Sequence, residues 1–194
     1  MSTTSRVQQQ ILKIPQGEPF TTTALQKHGS RATIKSVLSR LTNSGKIVRI
    51  TRGVYVRPEE NRFVGQILPE PFKIAEAIAN KTNEIIQVSG AEAARQFGLS
   101  TQVPAQPVFL TTGRSRRFKI GSLEVTLKHV SKKKIPLPES KVGLAIVALW
   151  YLGKQQVTSQ TIRKIEKKLT LQEFKKFKSS REHMPAWMSN MILR

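Results

Sequence analysis

Arg31, Lys35, Arg40, Lys46, Arg49 and Arg52 crowd into one short span, interleaved with the small polar side chains Ser30, Thr33, Ser36, Ser39 and Asn43. Guanidinium and ammonium groups neutralise phosphates and release their counterions, while short hydroxyl and amide side chains approach base edges closely. That is the chemistry of holding a polyanion. It makes and breaks no covalent bond.

The elements needed to position these groups are legible around them. Ser30 is a helix cap, and Ile34, Val37, Leu38 and Leu41 recur at helical spacing behind it. At about 100° per residue, this apolar stripe leaves Ala32, Ser36, Ser39 and Asn43 opposite, flanked by Thr33, Lys35 and Arg40. Arg31 stands at the helix start, where its charge combines with the positive end of the helix dipole. A phosphate and a guanine edge both fit there, and the sequence does not choose between them.

Upstream, Ser5 caps a helix with Val7, Ile11 and Ile14 on one face, closed by Pro15-Gln16-Gly17. Phe20 to Leu25 offers an apolar start, threonine caps and one or two helical turns before Gly29. Downstream, Ser44-Gly45 stops the helix. Lys46 to Ile50 and Val54 to Arg57 are rich in β-formers, with Thr51-Arg52-Gly53 as a short turn. Helix, turn, helix and basic hairpin in that order predict a winged helix-turn-helix on DNA, with Lys46, Arg49 and Arg52 on the wing. An amphipathic helix on a generally basic protein, or a winged helix that meets only protein, are the competing readings.

The whole chain is basic. Across its 194 residues, 33 Lys and Arg face 12 acids, all of them Glu, for a net charge of +21. Residues 1–68 carry 11 basic and 3 acidic side chains, and residues 69–194 carry 22 and 9. Both parts therefore favour a polyanionic partner, nucleic acid first and an anionic surface second. No apolar run approaches the ~20 residues of a membrane span, and the N-terminus has no signal-peptide pattern, so a cytoplasmic protein without membrane contact is expected. The absence of Cys excludes disulfides and thiolate metal sites, and His28, His129 and His183 are widely separated. No metal and no cofactor is expected.

An enzyme is not expected either. Glycines 113, 121 and 143 are isolated, no Gly-Lys-Ser/Thr phosphate loop occurs, and two-metal chemistry would rest on scattered Glu alone.

The expected fold class is α+β: a winged helix over residues 1–60, a proline-containing linker over 61–71, and a mixed C-terminal domain over 72–194. In that domain Ile85 to Val88, Gln106 to Thr111, Arg116 to Ile120 and Leu123 to Val130 read as strands. Ser89 and Glu92 have the spacing of a capping box, as do Thr170 and Glu173. Glu139 to Leu152 reads as a buried apolar helix, Thr158 caps a helix bearing Ile162, Ile165 and Leu169, and Pro185 opens a final one. Two basic clusters form a candidate secondary patch: Arg114, Arg116 and Arg117, and then Lys132, Lys133 and Lys134. Arg163, Lys164, Lys167 and Lys168, with Lys175, Lys176, Lys178 and Arg181, line the polar faces of the last helices. Solvated faces, an extended DNA footprint, an RNA and an acidic protein surface all remain open for them.

The run Ser30 to Leu41, continued by Gly45 to Tyr55, resembles the N-terminal domain of AbiEi-type antitoxins. Ser89 to Leu99, Val108 to Gly113 and Met184 to Met188 are similar to the C-terminal domain of that group. The resemblance implies a bacterial type IV toxin-antitoxin (abortive infection) antitoxin. Its winged helix would repress its own promoter at inverted repeats in double-stranded DNA. The functional partner it implies is a nucleotidyltransferase-like toxin, with no direct contact required. A basic RNA- or ribosome-binding protein, and a winged-helix regulator without a toxin, are the alternatives.

Overall fold

The structure, a computed structural model, describes residues 2–192. The architecture is mixed α+β. The chain divides into two compact units: one runs to Asn83 and includes Arg117–Val125, and the other comprises Glu84–Arg116 and the chain from Thr126 onward.

The first unit starts with helix α1 (Thr3–Lys13), then strand β1 (Pro19–Thr21), a 3-10 helix at Thr23–His28 and helix α2 (Arg31–Asn43). Strands β2 (Val48–Thr51) and β3 (Val54–Val56) follow. The cap of α1 is Ser2 and not Ser5: the Ser5 N–H donates to the Ser2 hydroxyl at 3.2 Å, so the helix begins before the residue expected to cap it. Both serines suit the position, and the upstream one satisfies an otherwise free amide.

Strand β3 lies between β1 and β2, antiparallel to both, with Phe20 opposite Tyr55 on one side and Arg49 opposite Tyr55 on the other. The register shifts between Arg49 and Thr51, as a bulge next to the turn requires. Val7 and Ile11 of α1 pack with Phe20, Leu25 and the Ile34, Val37, Leu38, Leu41 stripe of α2. Each such fully buried side chain contributes about 1.5–3 kcal/mol.

The segment expected as a linker is structured. Strands β4 (Glu59–Asn61) and β5 (Gly65–Ile67) pair as an exposed antiparallel hairpin. Helix α3 (Pro71–Lys81) follows, and it packs on β1 within the first unit. Pro71 starts it where a missing N–H costs nothing, and Ile74, Ala75, Ile78 and Ala79 are its buried face. Lys73 bonds Glu18 at 3.0 Å, and that hydrogen bond, with the charge of Glu18, raises the lysine's pKa above its ordinary value.

The second unit contains β6 (Ile86–Val88), α4 (Gly90–Gln96) and β7 (Val108–Thr111). Strands β8 (Arg116–Ile120) and β9 (Leu123–His129) complete a sheet of order β6-β7-β9-β8, although Arg117–Val125, the hairpin end of the two strands, is grouped with the first unit. Strand β7 is antiparallel to β6 and parallel to β9. Helices α5 (Lys141–Leu152), α6 (Ser159–Lys168), α7 (Leu171–Ser179) and α8 (Ala186–Ile192) then form a helical layer. Its core joins Ala93 of α4 and Phe97 just after it to Ile146 and Leu149 of α5, Ile165 of α6 and Phe177 of α7.

Thr170 and Glu173 make the expected capping box. Ser89 and Glu92 do not: Ser89 accepts from the Glu92 N–H, but the Glu92 carboxylate turns to Arg95 at 2.7 Å and to Gln96 at 2.9 Å. The hydrogen bond from Arg95 comes first among the causes that hold Glu92 below its ordinary pKa. A nearby guanidinium outcompetes the neutral amide of the cap. Among the described residues no helix is long and apolar enough to cross a membrane.

Candidate nucleic-acid interface

Helix α2 is fixed at its start by Ser30, whose hydroxyl accepts the Thr33 N–H at 3.2 Å and contacts the Thr33 hydroxyl at 2.9 Å. Two candidate contact residues are thereby partly committed to the cap, and Thr33 is only half-exposed. Arg31, Lys35, Ser36, Ser39, Arg40 and Asn43 are exposed along the same helix.

A groove of about 960 Å³ runs between α2 and the β2–β3 hairpin. Arg31, Lys35, Ser39 and Asn43 line it from the helix, and Arg49 and Arg52 from the hairpin. The buried side chains Ile34 and Leu38 lie at its base with Tyr55, which stacks on Phe20 at a centroid distance of 6.0 Å. Of the sequence-predicted residues, Ser30, Thr33, Ser36, Arg40 and Lys46 do not line this groove. On the helical projection Arg31, Lys35, Ser39 and Asn43 occupy one flank of α2, while Thr33 and Arg40 fall on the other. The candidate contacts therefore face two directions, and only one of them is concave.

Thr22, Gln26 and Lys81 also line the groove, and none was expected. Lys81 is the most informative. It ends α3, and its Nζ donates to the carbonyl oxygen of Arg52 at 2.8 Å. From the other side the Thr22 N–H donates to the Gly53 carbonyl at 3.1 Å. Gly53 has φ +78°, a conformation that calls for glycine, and a Cβ there would lie 2.7 Å from the Lys81 ammonium and so displace the flexible end of that side chain. Pro71 at the helix start, followed by the Ile74, Ala75, Ile78 spacing, is the sequence signal from which α3 was readable.

Arg31, Lys35, Arg49, Arg52 and Lys81 place five cations on this groove with no carboxylate among the residues that line it. None of the five is ion-paired among the described residues. Like charges held together in a concavity repel one another and attract an external polyanion. Arg57, by contrast, is structural: its guanidinium donates to the Leu12 and Ile14 carbonyls and closes the end of α1.

A family profile matches residues 6–177 of the chain. The chain belongs to DUF6088, a family of unknown function. No curated protein and no solved structure matches it. In this family member, three of the six residues of the candidate secondary patch make internal contacts. Arg116 bonds both oxygens of Glu84, at 3.1 and 2.7 Å, and Glu84 also accepts from the Thr111 hydroxyl at 2.9 Å. Arg117 pairs with Glu124 at 3.4 Å, and the Lys134 ammonium sits 3.5 Å from the centroid of the Trp150 ring. Arg114, Lys132 and Lys133 are exposed. Among the described residues no three His, Cys, Asp or Glu side chains come together as a metal site.

Proposed function

We propose that the first unit is a winged helix that binds double-stranded DNA and that the protein is a cytoplasmic repressor of its own promoter. The observation that carries this reading is the groove between α2 and the β2–β3 turn, with its five cations and no carboxylate. The element order and the β1-β3-β2 sheet support a winged helix, since a hairpin beside the reading helix is what that fold presents to DNA. Helix α2 enters the major groove on its Ser36, Ser39 and Asn43 side, and Arg31 and Lys35 reach phosphates or guanine edges. The turn at Arg52 meets the adjacent backbone or minor groove.

The measurement is affinity for a duplex from the gene's upstream region against a scrambled duplex at physiological salt. A specific repressor prefers the former by roughly a thousandfold or more. Equal binding to both sinks the repressor reading.

The antitoxin role, directed at a nucleotidyltransferase-like toxin, comes from the resemblance to AbiEi-type antitoxins alone. Its test is co-expression with such a neighbouring gene product. Restored growth supports the role, and unrelieved toxicity removes it.

A further inference from the structure

The second unit has a cleft of its own. Tyr151, Lys164, Ser100, Gln102 and Gln156 line a polar hollow of about 630 Å³ where the chain leaves α4. Tyr151 is 51 % exposed, unusual for an aromatic on the otherwise apolar α5. It is also firmly held: a Cβ at Gly90 would lie 2.4 Å from the tyrosine Cβ, so the start of α4 packs directly against the base of this side chain. Lys164 is anchored beside it, donating one N–H to the Gly98 carbonyl at 3.4 Å and keeping two donors.

A half-exposed ring packed at its base, an ammonium and two side-chain amides in one hollow are the parts that hold an unstacked base and its phosphate. The amides of Gln102 and Gln156 carry both donors and acceptors, as a base edge does. The cations continue from the cleft along α6. Lys167 and Lys168 stand three and four residues beyond Lys164 on the same exposed face, one turn away, while Glu166 falls outside that stripe.

We infer that this cleft and the α6 stripe bind single-stranded nucleic acid, with an unpaired base stacked on Tyr151 and its phosphate on Lys164. This second site is separate in its residues from the duplex groove of the first unit. It gives the basic charge of the second unit a ligand that the winged helix does not require.

The test uses the full-length protein and labelled single strands of about 12 nucleotides, one RNA and one DNA of equal sequence, with the upstream duplex as a third probe. Tyr151→Ala and Lys164→Gln each weaken single-strand binding roughly tenfold and leave duplex binding unchanged. Tyr151→Phe, which keeps the ring, recovers most of the affinity lost in Tyr151→Ala. The tighter of the two single strands identifies the sugar. Single-strand affinity within about twofold of wild type in both Tyr151→Ala and Lys164→Gln overturns the site, as does a parallel loss of duplex binding. Loss of duplex binding alone in Arg31→Ala/Arg52→Ala keeps a failure of this inference distinct from a failure of the repressor reading.

Discussion

The Lys81 ammonium donates to the Arg52 carbonyl oxygen, tying the last turn of α3 to the tip of the β2–β3 hairpin. Arg52 is exposed at that tip, where the Thr22 N–H already holds the Gly53 carbonyl, and the Lys81 bond adds a second tether from α3. Lys81→Ala loses about 1 kcal/mol of order in the turn, read as roughly fivefold weaker binding to the upstream duplex. A titration giving wild-type affinity would remove Lys81 from the binding face.

Glu84 and Gly113 are coupled in a different way. A Cβ at Gly113 would fall 1.8 Å from the Glu84 carboxyl carbon, in the space needed for the pair with Arg116 and the bond from Thr111. Gly113→Ala therefore displaces a carboxylate that is only 13 % exposed and costs about 1–3 kcal/mol in urea unfolding. In a Glu84→Ala background the same substitution costs much less, because the clash is gone. Equal costs in both backgrounds would disprove the coupling.

The pH dependence has a defined sign at Glu173. The Thr170 backbone N–H donates to this carboxylate at 2.8 Å and, as the leading cause, holds its pKa below the ordinary value. A group depressed on folding stabilises above its unfolded pKa and loses that contribution as the pH falls through the folded value. Wild type should exceed Glu173→Gln in urea midpoint at neutral pH, and the two should converge in acid. A gap that stays constant with pH would contradict this cap.

Helix α2 and the β2–β3 hairpin were legible because their signals are local. Ser30, the Ile34, Val37, Leu38, Leu41 stripe and Gly53 each report on a few neighbouring residues, and the structure places them as those neighbours dictate. Strand β1 was not legible, since Pro19–Thr21 is too short for an alternating pattern and is a strand only through its pairing with β3. The β4–β5 hairpin escaped notice for a related reason: its strands are exposed on both faces, so hydrophobicity does not alternate along them. Lys81 reaches the site from a helix twenty-nine positions after Arg52, a separation across which no periodicity speaks. The Ser89-Glu92 pair failed as a box because Arg95 lay one turn away and carried the stronger donor.

If the groove cations hold DNA phosphates, the salt dependence of duplex binding reports it. Each neutralised phosphate contributes about −0.9 to the slope of log affinity against log salt. Titration of the upstream duplex over a range of salt should show Arg31→Ala/Arg52→Ala binding more weakly, with a slope shallower by roughly 0.9 for each of the two that holds a phosphate. Unchanged affinity and an unchanged slope would mean that DNA, if bound at all, is held elsewhere.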